Sequence, residues 1–183
     1  RLPLICKRGR QVLFSIAYRG DAGGASADYN ELRSQESMIS IIVPCYNEQE
    51  ALPFFHEEIS RVLKEIGEDY ELLFVNDGSK DDTLKELKAL STKDPHVIYL
   101  SFSRNFGKEA AMYAGFCNAK GDYIAVMDAD LQDPPALLPE MLKMLETDEY
   151  DSVATRRVSR EGEPPIRSWF ARRFYDIMNR ISE

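Results

Sequence analysis

The apolar positions of this chain switch repeatedly between two periods. From Met38 onward, short apolar runs alternate with segments whose apolar residues recur every three or four positions. Ile39-Ser40-Ile41-Ile42-Val43 reads as a buried strand. Residues 49–66 place Leu52, Phe55, Ile59, Val62, Leu63 and Ile66 near helical spacing and predict a helix. Glu71–Val75 is a second strand, and 81–92 a helix capped near Ser79 or Lys80. A third strand covers 97–102, a small-residue helix 107–119 and a fourth strand 123–127. Pro135 opens a helix in its first turn, where its missing N–H costs nothing, and this helix runs to about Glu146. Asp151–Thr155 is a fifth strand. Strands alternating with helices predict an α/β fold with a mostly parallel sheet and helices on both faces.

The two ends depart from this pattern. Residues 1–37 contain a loose Gly- and Ala-rich stretch at 20–28 and an apolar run at 12–18 too short for a signal peptide. With Met38 standing directly before a clean strand, 1–37 is read as a leader or extension outside the core, and 38–155 as the main domain. In 165–182, Ile166, Trp169, Phe170, Phe174, Ile177, Met178 and Ile181 follow helical spacing, with Arg172, Asp176, Asn179 and Arg180 on much of the other side. Such a helix can lie in a bilayer interface or dock on the sheet. Residues 156–183 are therefore read as an Arg-rich loop followed by an amphipathic helix.

Composition narrows the classes. Of 183 residues, 44% are hydrophobic and 30% charged, which excludes collagen-like and disordered chains. No apolar run approaches the ~20 residues of a membrane span. Three cysteines without a C-x-x-C pair exclude a disulfide framework or zinc ribbon and fit a reducing compartment. The net charge of −8 is unevenly spread: 38–155 is strongly acidic, whereas all seven basic residues of 156–180 are Arg. A small basic segment on an acidic body points to a local anionic partner rather than to nucleic acid.

Ligands of parallel α/β sheets bind beyond the carboxyl ends of the strands, and polar residues gather there. The five strands run into Pro44-Cys45-Tyr46-Asn47-Glu48, Asn76-Asp77-Gly78-Ser79, Ser103-Arg104-Asn105-Phe106-Gly107-Lys108, Asp128-Ala129-Asp130-Leu131-Gln132-Asp133 and Arg156-Arg157. Two carboxylates two apart after a strand can hold a divalent cation, with Gln132 as a further oxygen donor. Hard oxygen ligands suit Mg²⁺ or Mn²⁺ shared with substrate phosphates. The phosphate cradles G-x-G-x-x-G and G-x-x-x-x-G-K-[ST] and the G-x-S-x-G elbow are absent from the sequence. Cys45 reads as a buried filler, and neither His56 nor His96 lies at a strand end.

Val-Pro-Cys-Tyr-Asn-Glu at 43–48, Val-Asn-Asp-Gly-Ser at 75–79 and Asp-Ala-Asp-Leu-Gln-Asp-Pro-Pro at 128–135 resemble the GT-A glycosyltransferases of family 2. Arg-Asn-Phe-Gly-Lys-Glu-Ala-Ala at 104–111 and the Arg-rich stretch after 155 narrow the resemblance to the polyprenyl-phosphate glycosyltransferases, the dolichol-phosphate mannosyltransferase and bactoprenol glucosyltransferase group. The resemblance covers about Met38 to Glu183. It implies a GT-A, Rossmann-like sheet and a metal-dependent, inverting transfer of one sugar from a nucleotide diphosphate sugar, UDP-hexose favoured, to a polyprenyl phosphate. Pro44, Tyr46, Asn47, Glu48 and Asp77 would surround the base and ribose, and Asp128 would lie near the ribose and diphosphate. Asp130 and Gln132, with Asp128, would hold the metal. Arg156 and Arg167 would grip the acceptor phosphate, with Arg157, Arg160 and Arg172 as weaker candidates, and Lys108 and Arg104 could assist at the diphosphate or sugar. Asp128, Asp130, Arg156 and Arg167 would be the catalytic set. Members of this group usually continue into membrane helices, so the chain reads as the catalytic portion of an integral membrane protein working at the cytoplasmic face, with a homo-oligomer left open.

Two other readings stay open. A family 2 enzyme acting on a glycan hydroxyl would need a carboxylate base after strand five, with Glu161, Glu163 or Asp176 as candidates. A chain that binds nucleotide sugar without turnover, or serves as a scaffold, would show the same strand-end motifs.

Overall fold

The computed structural model describes residues 4–7, 37–147 and 149–155. Its centre is β2 (Met38–Cys45), which is buried almost throughout. Alternate side chains of a strand point to opposite faces, so Ile39, Ile41 and Val43 enter one apolar layer and Ile42 another. β3 (Asp69–Asn76) runs parallel to β2 with Leu72 opposite Ile41, and β4 (Val97–Ser101) runs parallel to β3. On the other side of β2 lies β5 (Tyr123–Val126), also parallel.

The larger layer is filled by three helices. α1 (Leu52–Ile66) contributes Leu52, Phe55, Ile59 and Leu63, and α2 (Thr83–Lys93) contributes Leu87 and Leu90. α4 (Leu138–Glu146) follows a short 3₁₀ turn at Pro135–Leu137 and adds Leu138, Met141 and Leu145. α3 (Lys108–Asn118) covers the opposite face, where its buried Ala111 and Gly115 let it lie close to Ile42 of β2. Helices on both faces of a mostly parallel sheet are thus found as expected. α1 begins three residues after its expected start because Pro53 is accommodated only in a first helical turn.

A polar tie fixes the turn between α3 and β5. The Ser40 hydroxyl donates to the Glu71 carboxylate (2.6 Å), which also accepts the Lys120 N–H (2.7 Å). The Gly121 N–H in turn donates to Ser40 Oγ (2.8 Å). Both side chains are buried, and these bonds offset the cost of removing a carboxylate from water.

The structure corrects the expectation that all of 1–37 stands outside the core. β1 (Leu4–Lys7) lies antiparallel between β5 and β6 (Ser152–Ala154), giving the order β4-β3-β2-β5-β1-β6. Ile5 is 1% exposed and packs in the main apolar layer. Antiparallel pairing on both sides satisfies the backbone groups of a strand too short to be stable alone. The expected amphipathic helix at 165–182 lies outside the described residues. Among the described residues, no helix is long and apolar enough to cross a membrane.

Candidate functional site

A cavity of about 370 Å³ opens where β2, β3 and β5 release the chain. Its wall is built from Pro44, Cys45, Tyr46 and Glu48 after β2, Asp77 after β3, Asn105, Gly107 and Lys108 between β4 and α3, and Asp128 and Asp130 after β5. Six of the residues expected to bind donor or metal therefore meet in one place. Asn47 and Gln132 are not part of this wall. Asn47 adopts φ +58° and braces two loops: its N–H donates to Ser79 Oγ and its side-chain oxygen accepts the Lys80 N–H, both at 2.9 Å. Gln132 is exposed, and its backbone N–H donates to Asp130 Oδ1 (3.1 Å). Arg156, Arg157, Arg160, Arg167 and Arg172, like Glu161, Glu163 and Asp176, lie outside the described residues.

The loops around the cavity are tied by side chains at the strand ends. Buried Asn76 accepts the Ser79 N–H (3.1 Å) and donates to Ser101 Oγ (3.0 Å), joining the ends of β3 and β4. Asp77 is 3% exposed and accepts two consecutive backbone N–H groups, Phe106 to Oδ1 (2.6 Å) and Gly107 to Oδ2 (2.9 Å). Arg104 stacks its guanidinium over the Phe106 ring, 4.8 Å from the centroid, and does not line the cavity. Lys108, the first residue of α3, forms an ion pair with Asp128.

The field in this cavity is acidic. The Glu48 carboxyl is pushed above its ordinary range, first by burial and then by Asp130, Asp128 and Asp81, with Lys108 opposing. Burial, with Glu48 and Asp128 nearby, pushes the Cys45 thiol up so far that it is a neutral filler and not a nucleophile. Among the described residues, no three His, Cys, Asp or Glu side chains form a ready metal cage. Asp128 and Asp130 supply a sparse, all-oxygen set instead. That set fits Mg²⁺ or Mn²⁺, which take one or two carboxylates and complete their shell with water and substrate phosphate.

Sequence reasoning gave Lys108 little weight and did not foresee its ion pair with Asp128. Its signal was the motif at 104–111, which carries two cations, Arg104 and Lys108, and does not say which of them meets a carboxylate.

Comparison with known proteins agrees with this architecture. The model of "Glycosyl transferase family 2" matches residues 40–182. A putative glycosyltransferase of Bacillus subtilis, CsbB, is 45% identical over 149 residues, covering 81% of this chain and 45% of that protein. A prophage bactoprenol glucosyl transferase homolog of Escherichia coli is 40% identical over 144 residues, covering 79% and 47%. The chain thus spans just under half the length of these curated relatives. In fold it resembles a mannosyltransferase of Pyrobaculum calidifontis, solved with GDP-Man and Mn²⁺, with a TM-score of 0.52 at 22% identity over 61% of this chain and 33% of that one. From its strand-end motifs, its mostly parallel sheet and these matches, the chain belongs to glycosyltransferase family 2.

Proposed function

We propose that this chain transfers a single sugar, with inversion, from a nucleotide diphosphate sugar to a polyprenyl phosphate at the cytoplasmic membrane face, with a UDP-hexose as donor. The observation that carries the reading is the meeting of Asp128, Asp130 and Lys108 at one cavity on the carboxyl edge of the sheet. Relatives named as bactoprenol glucosyl transferases support a lipid-linked acceptor.

In this reading Pro44, Tyr46, Glu48 and Asp77 enclose the base and ribose, and Asp128 stands near the ribose and diphosphate. Asp130 and Asp128 would hold the metal, and the fold neighbour solved with Mn²⁺ is consistent with that choice. A bound Mg²⁺ or Mn²⁺ supplies neutralisation of the charge that builds on the departing diphosphate. Lys108 brings a fixed ammonium to the same region.

A phosphate acceptor asks for no base from the protein. A phosphate monoester has its second pKa near 6 and is an anionic nucleophile at neutral pH. The protein needs to hold and aim it, and Arg, with its planar fork, suits that task. Arg156 and Arg167 take this role. Direct displacement of the diphosphate by the acceptor oxygen inverts the anomeric carbon.

The test is sugar transfer by the full chain from labelled UDP-glucose to undecaprenyl phosphate in mixed micelles with Mn²⁺ or Mg²⁺. A glycolipid product that disappears with Asp130→Asn and with Arg156→Ala is expected. Metal-dependent UDP binding without product would leave only the donor site, and no UDP or GDP binding by a folded chain would overturn the reading.

A further inference from the structure

We propose that the position between β5 and β6 is a peptide-binding slot, one that takes an extended apolar segment antiparallel to both strands, and that Leu4–Lys7 sits in it as an exchangeable guest. The slot is made by a crossover. β5, α4 and β6 follow one another in the chain, and β5 and β6 point the same way, since both run antiparallel to β1. Between them one strand position is left, and β1 fills it. The host strands lie inside the family match at residues 40–182, whereas the guest lies outside it. The part of the chain that the family shares therefore builds the slot, and this occupant comes from elsewhere.

The seated segment defines the chemistry of the ligand. Leu4 to Lys7 pair with Val126 to Tyr123 on one side, and Leu4 to Cys6 pair with Ala154 to Ser152 on the other. Without a guest, two rows of backbone N–H and C=O groups would face each other about 10 Å apart, twice the spacing of neighbouring strands. A segment entering there bonds on both sides at once, which a single sheet edge does not offer. Selectivity comes from the two faces. Ile5 packs in the main apolar layer, and Cys6, also buried, packs in the layer under α3 with Ile124 and Val126. The ligand therefore needs two consecutive apolar residues, the second no larger than the space of a cysteine. The covalent link to β2 is residues 8–37, thirty in all. A link of that length reaches about 100 Å when fully extended, so it does not hold β1 in register. The strand pairing and the two side chains do. None of these residues lines the cavity, and the inference stands apart from the donor-site reading.

The first test uses the full chain and its own thiols. Cys6 is buried in the guest, and burial pushes its thiol up, so it is inert while seated. Cys45 is buried at the end of β2, and Cys117 is exposed on α3 and reports that the reagent is active. The chain is labelled with a maleimide in rising urea and read by mass spectrometry, each thiol against its rate in the unfolded chain. An exchangeable guest leaves before the core opens, so Cys6 should lose protection at urea concentrations where Cys45 keeps it. Cys6 and Cys45 released together would overturn the proposal, because β1 would then be an integral part of the core.

The second test supplies the guest from outside. A fluorescein-labelled peptide of residues 1–10 carrying Cys6→Ala is titrated into the full chain carrying Ile5→Asp, whose own segment then has a carboxylate where the slot is apolar. Saturable binding is expected, with a thermal midpoint raised towards that of the parent. The same peptide carrying Ile5→Asp should bind more than about tenfold more weakly. If the variant chain does not fold alone, the first peptide should restore its fold and the Asp peptide should not. Neither binding nor rescue by the first peptide would sink the proposal. Equal binding of the two peptides would do the same, since the cations of the peptide would then be meeting the acidic body of the chain without regard to sequence.

Discussion

The contact between Gly78 and the 104–105 backbone can be weighed by adding one methyl group. Two glycines have similar backbone angles but different surroundings. Gly67, which ends α1, has φ +82° and nothing within 4 Å of a Cβ position. Gly78 has φ +64°, and a Cβ there would meet Arg104 and Asn105 backbone atoms at 2.2 to 2.6 Å. Gly67→Ala therefore costs only the left-handed conformation, about 1–2 kcal/mol. Gly78→Ala costs that and the separation of two packed loops, about 1–3 kcal/mol more by analogy with overpacked cores. For a chain of this size each kcal/mol lowers Tm by about 2–4 °C. At the middle of that range, about 3 °C per kcal/mol, the expected losses are roughly 3–6 °C for Gly67→Ala and roughly 6–15 °C for Gly78→Ala. Thermal unfolding followed by circular dichroism, with both variants and the parent in one buffer, measures the difference. Equal losses in the two variants would refute the reasoning, because the loops would then have room to part at no cost.

Other outcomes follow from the same structure. UDP with Mn²⁺ at 100 times its dissociation constant should stabilise the chain by about 2.7 kcal/mol, and Asp130→Asn should abolish that shift in thermal unfolding. Burial alone would raise the Asp94 carboxyl, but the His96 N–H and the His56 and His96 side chains outweigh it and hold it below its ordinary value of 3.8. A depressed carboxyl contributes stability that is present above its unfolded pKa and lost as pH falls through the folded one. Urea titrations below pH 4 should therefore show the parent losing stability more steeply than Asp94→Asn, and parallel curves would count against this role. Glu71→Ala strips Ser40 and the Lys120 N–H of their buried acceptor, so it should cost about 1–3 kcal/mol, read as a lower urea midpoint at unchanged slope.

Much of this architecture was legible in the sequence because burial on both faces leaves an unmistakable mark. Ile41 to Val43 and Leu72 to Val75 are apolar without alternation, and helices on both sides of the sheet are what make that necessary. The strand-end residues were legible for a related reason: Asp128 and Asp130 follow directly on an apolar strand whose direction fixes where they emerge. Leu4–Lys7 was not legible. Its four residues carry too little pattern, and its partners lie more than a hundred residues away. The partners of Asp77 were hidden for another reason. They are backbone amides at 106 and 107, and a backbone donor has no letter in the sequence. Nor did the motif around Asn47 show that its N–H and side-chain oxygen tie two loops to each other.

The order of the sheet also decides what depends on its first strand. β6 joins the sheet only through β1, among the described residues, and Arg156 follows β6 by two residues in sequence. The cavity draws its wall from the ends of β2, β3 and β5 and from the residues that join β4 to α3. β6 is therefore moored through the four residues of β1, and the same four residues pair with β5, whose end carries Asp128 and Asp130. A change that loosens β1 would be felt on both sides, at β6 and at the cavity wall beyond β5.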